Sequence, residues 1–116
     1  MNDDFLNILR SKNIERQSKW NGSEKVDNLF RAVELGEEAG EVLGAVKKYF
    51  RGSNNIKGNQ KSLEEILENL EDEIGDVLIT LDLLALQYNI DLQKCTTTKF
   101  NKTSKKVDIA VYIGDV

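Results

Sequence analysis

The sequence of 116 residues contains no histidine, no proline and a single cysteine. The lack of histidine excludes the commonest general base, the commonest zinc ligand and every serine–histidine or cysteine–histidine nucleophile. With Cys95 alone, neither an internal disulfide nor a thiolate metal site can form. Any catalysis by this chain must therefore depend on carboxylates, lysines, hydroxyls and a bound metal ion.

Long apolar runs and an excess of positive charge are also missing. No segment reaches the roughly 18 consecutive apolar residues that would cross a bilayer. The first residues lack the cationic and apolar pattern of a signal peptide. The formal net charge of −4 disfavours general nucleic-acid binding, which needs a basic surface. We therefore expect a cytoplasmic protein with neither a membrane nor a nucleic acid as partner.

Composition favours helices, because charged residues make up 31% of the chain and proline is absent. Apolar periodicity predicts four helices, over about residues 3–19, 24–50, 62–87 and 92–106. We expect one all-α, four-helix-bundle-like domain over residues 1–106. Residues 107–116 alternate weakly between apolar and polar, which fits either a short strand or an extended arm.

Turn and capping residues separate the predicted helices. Ser23 is the predicted N-cap of the second helix, and Asp91 that of the fourth. Ser62 and Glu65 have the spacing of a capping box at the start of the third helix. The polar segment 51–61 is the predicted loop between the second and third helices.

Two acidic clusters are the most informative feature of the sequence. The clusters consist of Glu34, Glu37, Glu38 and Glu41 in the second predicted helix, and of Glu73 and Asp76 in the third. Carboxylates three or four positions apart on a helix point the same way and repel one another. If the two helices face each other, the carboxylates converge on a site for a hard divalent cation. That layout is typical of a Mg²⁺-dependent enzyme acting on phosphates.

A run of glutamates is, taken alone, more often a solvated helix face than a site. Here the first cluster has apolar residues on both flanks and no interleaved lysine, and Glu73 lies at the edge of a leucine-rich face. By contrast, Glu64, Glu71 and Asp82 are predicted to project to the far side as solubilising charges. Carboxylates at a core boundary need a partner, which favours the metal site.

Small, basic and aromatic residues add weaker signals. The row Gly36, Gly40, Gly44 costs a helix about 1 kcal/mol per glycine and allows close approach of another helix or of a ligand. The lysines after each cluster either balance the charge or contact phosphates. Trp20, at a predicted helix junction, is either a core anchor or a platform for a nucleobase.

The two acidic motifs together resemble those of the MazG-like nucleoside triphosphate pyrophosphohydrolases, of the all-α NTP pyrophosphatase group. The family signature is Glu-Glu-x-x-Glu followed by Glu-x-x-Asp, and it reads here as Glu37-Glu38-x-x-Glu41 and Glu73-x-x-Asp76. The resemblance covers roughly residues 16–106. The spacer of residues 42–72 is somewhat longer than the family commonly shows, and the chain holds one copy of the domain.

This resemblance implies hydrolysis of a nucleoside triphosphate between its α and β phosphates, giving a monophosphate and pyrophosphate. It implies Mg²⁺ as the cofactor, with Mn²⁺ as a substitute, and a homodimer or homotetramer. The implied ligands are Glu38, Glu41, Glu73 and Asp76, while Glu37 would bind a further ion or orient the attacking water. The candidate substrate-binding residues are Trp20, Glu34, Lys47, Lys48, Lys99 and Asn101.

Two alternatives remain open from the sequence. The first is a non-catalytic helical module that binds nucleotides or a basic protein partner through its acidic face. The second keeps the site and changes the substrate, to a narrow set of deoxynucleotides or to phosphoribosyl nucleotides. The sequence identifies neither the base nor the sugar.

Overall fold

All regular structure in the computed structural model, which describes residues 5–114, is helical. The helices are α1 (Phe5–Ser18), α2 (Asn28–Ser53), α3 (Leu63–Gln87) and α4 (Leu92–Lys106), with a 3₁₀ turn at Ser23–Lys25. The predicted all-α class and the four helices are confirmed. None of the helices in this range is long and apolar enough to cross a membrane.

Helices α2 and α3 form the central hairpin, which buries Ala45 of one helix and Ile66 of the other. The connection between them is fastened to the end of α2 by Asn59. The Asn59 Nδ2 donates to the carbonyl oxygen of Lys48 at 2.7 Å, and the Asn59 Oδ1 accepts from the Arg51 Nη1 at 3.1 Å. The short connection makes α2 and α3 antiparallel, so the middle of each helix faces the middle of the other.

The predicted caps of α3 and α4 are confirmed. The Ser62 Oγ accepts the N–H of Glu65 at 3.1 Å, and the Asp91 Oδ1 accepts the N–H of Lys94 at 3.0 Å. The capping box of α3 is only half formed, because the Glu65 carboxylate accepts from the Ser62 hydroxyl and not from its backbone N–H.

The predicted start of the second helix is wrong. Helix α2 begins at Asn28, and its cap is Asp27, whose Oδ1 accepts the N–H of Phe30 at 2.9 Å. Ser23 lies in the preceding 3₁₀ turn, where its Oγ donates to the carbonyl oxygen of Gln17 at 2.6 Å. An aspartate four residues downstream was available as a cap, which left the serine to close the turn between α1 and α2.

An ion pair between the partly exposed Arg10 and the buried Asp82 attaches α1 to α3. Asp82 is 1% exposed, and both of its carboxylate oxygens accept from the Arg10 Nε, at 3.0 and 3.2 Å. The Asn13 Nδ2 donates to Asp82 as well, at 3.0 Å, and to the carbonyl oxygen of Ile79 at 3.3 Å. The prediction that Asp82 is a solvated charge is therefore wrong, because α1 covers that side of α3 and supplies the guanidinium.

Residues 107–114 contain neither a helix nor a strand. The segment is held against α4 by Asn101, whose side chain accepts the N–H of Ile113 at 2.8 Å and donates to its carbonyl oxygen at 3.0 Å. The last two positions of the predicted arm, 115 and 116, lie outside the described residues.

The single chain has a thin core. Among residues 5–114, the buried apolar residues are Ala45, Ile66 and Ala85. The radius of gyration is 17.7 Å, against roughly 13 Å for a compact domain of this length. Much of the apolar surface of the helices is therefore left uncovered by the chain itself.

Candidate active site

The two acidic motifs meet between α2 and α3. Glu38 of α2 and Glu73 and Asp76 of α3 each place a carboxylate oxygen within 4.8 Å of the other two. Glu41, one turn after Glu38, is close enough to Glu73 to influence its carboxyl group. The antiparallel hairpin thus sets one i, i+3 pair of carboxylates against the other, and we call these four residues the acidic cluster.

Two oxygen atoms of the acidic cluster are buried and lack a hydrogen-bond partner among the described residues. They are the Oε2 atoms of Glu38 and Glu73. The ion pairs found in residues 5–114 involve other carboxylates, at Glu15, Glu34 and Asp82. Because an unpaired buried carboxylate is costly, the cluster has the electrostatics of a cation site.

Two carboxyl groups of the acidic cluster, those of Glu38 and Glu73, have raised pKa values. The hydrogen bond with Glu41, followed by burial and by repulsion from Glu41 and Asp76, raises the pKa of Glu73 to about 7. Burial, and then the charges of Glu41 and Asp76, also raise the pKa of Glu38. Near neutral pH the cluster therefore tends to retain a proton in the absence of another cation.

The donor set fits Mg²⁺ or Mn²⁺. All four side chains offer carboxylate oxygens, which both ions accept, and there is no sulfur or imidazole to favour a softer metal. Glu38, Glu73 and Asp76 would hold the ion, with Glu41 beside them. Glu37 is exposed next to this group, where its charge adds to the repulsion felt by Glu38.

A cleft of about 550 Å³ opens from the cluster toward the junction between α1 and α2. Glu38 and Asp76 line it, and so do Trp20 and Glu34, two of the predicted substrate-binding residues. Trp20 is 66% exposed, which rules out its alternative role as a core anchor. One cavity is therefore lined both by carboxylates of the acidic cluster and by the exposed side chain of Trp20.

The other four substrate-binding candidates do not line this cleft. Lys47 and Lys48 are exposed further along α2. Lys99 lines a separate shallow groove on α4, and the Asn101 side chain is bonded to the backbone of Ile113. Their roles as phosphate contacts stay predictions.

Arg31 and Asn13 were not predicted from the sequence to be residues of the cleft. Arg31 lines the cleft, is 8% exposed and donates from Nη1 to the Glu34 Oε1 at 2.8 Å. Its i, i+3 spacing from Glu34 was a usable signal. Asn13 also lines the cleft, and it is oriented by Asp82 and by the backbone of Ile79. No local pattern marked Asn13, because its partners lie more than 60 residues away.

The family model of the MazG nucleotide pyrophosphohydrolase domain matches residues 28–108, which is more than half of the chain and includes every member of the acidic cluster. The chain belongs to the MazG family. This confirms the resemblance drawn from the two acidic motifs. The MazG domain comprises α2, α3 and α4, so α1 and the Trp20 junction are outside the matched range.

The chain is also similar to the protein YvdC of Bacillus subtilis (strain 168), which is described as uncharacterized. The two are 32% identical over 76 residues, covering 66% of this chain and 72% of YvdC. No solved structure gives a significant match to this chain.

Proposed function

We propose that this chain is a Mg²⁺-dependent nucleoside triphosphate pyrophosphohydrolase, which cleaves NTPs or dNTPs between the α and β phosphates. The observation that carries the proposal is the convergence of Glu38, Glu73 and Asp76, two of which have a buried oxygen without a donor. Membership of the MazG nucleotide pyrophosphohydrolase family supports the reaction class.

The acidic cluster is the proposed metal-binding part of the site. Glu38, Glu41, Glu73 and Asp76 would hold Mg²⁺, with Mn²⁺ as a substitute. The ion, when bound, would neutralise the polyphosphate and lower the pKa of water. Glu37, exposed beside the cluster, would bind a further ion or orient the attacking water, a task for which the chain has no histidine.

The opposite end of the cleft is the proposed nucleoside site. Trp20 and Phe30 offer aromatic surface there, and Val26 adds an apolar wall. An exposed indole next to a cavity is suited to stacking on a base. The triphosphate would then extend toward the acidic cluster. Lys47, Lys48 and Lys99 would need to approach the phosphates from outside the cleft.

A homodimer or homotetramer is the proposed assembly. Leu29, Val33, Leu43 and Phe50 form an exposed stripe along α2, and Leu43 is 70% exposed. Gly36 and Gly40 lie between them, and a Cβ atom added at either would meet nothing within 4 Å. A second copy could therefore approach closely and cover the apolar surface that the thin core leaves open. Light scattering coupled to gel filtration should give two or four chains, whereas a monomer at micromolar concentration would contradict this assembly.

The reaction is tested by measuring pyrophosphate and monophosphate release from a panel of ribo- and deoxynucleoside triphosphates, with Mg²⁺, with Mn²⁺ and with EDTA. We expect equal amounts of the two products, with turnover lost in EDTA. Phosphoribosyl nucleotides in the same panel test the narrower substrate class. No turnover by folded, metal-supplemented protein would contradict the proposal and favour the non-catalytic binding module. Cytoplasmic location, and the lack of membrane and nucleic-acid partners, stay predictions.

A further inference from the structure

Arg31 has a hydrogen-bond donor for which the described residues provide no acceptor. Its Nε is buried and unpartnered, while Nη1 donates to the Glu34 Oε1 at 2.8 Å. The guanidinium lies 5.9 Å from the centre of the Phe30 ring. A buried donor without a partner is unfavourable, and more so when the group is charged. In a residue that lines the cleft, such a donor points to a ligand.

The position of Arg31 indicates which part of the ligand it meets. Arg31 precedes Glu38 by seven residues on the same face of α2, which separates their Cα atoms by about 10 Å along the helix axis. Side chains on one helix face lean the same way, so the lean leaves this separation nearly unchanged, and the Glu34 carboxylate that Arg31 binds belongs to a residue one turn before Glu38. Arg31 is therefore on the Phe30 side of the cleft, where a nucleotide with its phosphates at the cluster would place its nucleoside.

The chemistry of the guanidinium restricts what it can recognise. Arginine has five N–H donors and no acceptor, and the Glu34 contact fixes the plane of the group. An exocyclic amine facing Nε would set donor against donor. A carbonyl oxygen would satisfy Nε without any change in the Arg31–Glu34 pair.

We propose that Arg31 is a specificity-determining residue that donates its Nε–H to the carbonyl oxygen at position 6 of a purine or position 4 of a pyrimidine, so that bases with a keto group there are preferred over bases with an amine there. The proposal rests on the proposed function in taking the ligand to be a nucleotide. Hypoxanthine, guanine, uracil and thymine carry a keto group where adenine and cytosine carry an amine. Since a phosphate oxygen is also an acceptor, the test must distinguish a contact to the base from one to a phosphate.

Matched ligand pairs make that distinction. Inosine and adenosine 5′-monophosphates differ in the keto or amino group at position 6, together with the proton on the adjacent ring nitrogen, and the uridine and cytidine monophosphates differ in the same way at position 4. Trp20 is the single tryptophan of the chain and lines the cleft, so its fluorescence can report binding in EDTA, without any metal or turnover. We expect the keto ligand of each pair to bind about 10- to 100-fold more tightly, as for a hydrogen bond to a charged group.

Variants then assign the preference to Arg31. Arg31→Lys keeps the charge and Arg31→Met removes it, and both should bring the keto-to-amino ratio close to one. Glu34→Gln weakens the contact that fixes the plane of the guanidinium, so it should lower the ratio partly. Because this variant retains Arg31, it tests the inference even if the Arg31 variants fail to fold. Lys12→Met removes an exposed cation of α1 outside the cleft and should leave the ratio unchanged.

Two results would overturn the inference. If Arg31 variants weaken all four ligands equally, the donor meets a phosphate; if they leave all four affinities unchanged, it meets no part of the nucleotide. Hydrolysis is a separate readout, in which the same ratio is measured as kcat/KM for the triphosphates. If the chain binds keto ligands selectively but hydrolyses no triphosphate, only the proposed function is contradicted. If it hydrolyses triphosphates but its preference among bases does not depend on Arg31, only this inference is contradicted.

Discussion

The carboxyl group of Glu41 in α2 is the largest cause of the raised pKa of Glu73 in α3, which reaches about 7. Two carboxylates can approach in this way only when a proton or another cation lies between them. The family signature therefore brings together groups that are under mutual repulsion in the metal-free chain.

The pH dependence of stability follows from this repulsion. Because the pKa of Glu73 is raised from 4.5 to about 7 on folding, the native state binds more protons than the unfolded state in that window. The contribution of Glu73 to stability is therefore complete below pH 4.5 and is lost as the pH rises through 7. Thermal unfolding in EDTA should show this decline, and Glu73→Gln should flatten it. Glu71→Gln, an exposed carboxylate of the same helix, is the control and should leave the slope unchanged.

Saturating Mg²⁺ should reverse the loss above pH 7, because a ligand that binds only the native state raises its stability. The Tm of the wild-type chain should rise with Mg²⁺ concentration at pH 8, and the Tm of Glu73→Gln should rise much less. Equal shifts in the two proteins would place the ion elsewhere.

Neutral substitutions in the acidic cluster separate its catalytic role from its structural one. Glu38→Gln and Asp76→Asn should each lower turnover by more than the roughly 10- to 100-fold typical of losing an outer-shell partner of a metal site. Each should leave the metal-free fold intact or slightly more stable, since a repelling charge is gone. Steady-state kinetics and thermal melts in EDTA measure the two effects. Unchanged activity in both variants would contradict the site.

Trp20 should affect binding more than chemistry. Stacking of a base on an aromatic ring is worth about 1–3 kcal/mol, so Trp20→Ala should raise KM by roughly 5- to 150-fold. The kcat should change little, because Trp20 lines the cleft but is not among the carboxylates proposed to hold the ion. A loss confined to kcat would contradict the assignment of Trp20 to the base.

Asp82 should be essential for stability although it was expected to face solvent. Asp82→Ala leaves the Arg10 guanidinium and the Asn13 amide without their shared acceptor. Because Arg10 is partly exposed and keeps its bond to the Ile90 carbonyl oxygen, the loss of this acceptor lowers the free energy of unfolding by about 1–3 kcal/mol. Denaturant unfolding at fixed protein concentration measures the loss, with the exposed Glu68→Ala as a matched control. A loss no larger than that of the control would show that α1 is held by other contacts.

The exposed stripe on α2 predicts a charge-sensitive assembly. Leu43→Glu places a carboxylate among the apolar side chains that a second copy would cover, so the oligomer should dissociate. Gln60→Glu, in the connection after α2, adds the same charge away from the stripe. Gel filtration with light scattering should show a smaller species for Leu43→Glu alone.

Helical periodicity placed the carboxylates of each helix on one face, and the family resemblance selected Glu38, Glu41, Glu73 and Asp76 among them. The i, i+3 spacings of Glu38 with Glu41 and of Glu73 with Asp76 place each pair on one face, and the short connection makes those faces meet. The caps at Ser62 and Asp91 were equally local, and both were confirmed. These features depend on residues within one helical turn of each other, which a single sequence displays directly.

Contacts between distant parts of the chain were not predictable in this way. The burial of Asp82 depends on Arg10, 72 residues earlier, and the orientation of Asn13 depends on the same carboxylate. The cap of α2 was misplaced because Ser23 and Asp27 are both good cap residues, and the choice depends on how the turn after α1 closes. Arg31 was overlooked because the i, i+3 pair it forms with Glu34 usually marks an exposed helix face, whereas here it lines a cavity.

The central claim is that the acidic cluster binds a divalent cation and directs cleavage to the α–β bond. Phosphorus NMR of a nucleoside triphosphate incubated with the chain tests it most directly, with Mg²⁺, with EDTA, and with Glu38→Gln in Mg²⁺. The account predicts signals of pyrophosphate and the nucleoside monophosphate in the first sample alone. A diphosphate with inorganic phosphate, or the same products in EDTA or with the variant, would contradict it.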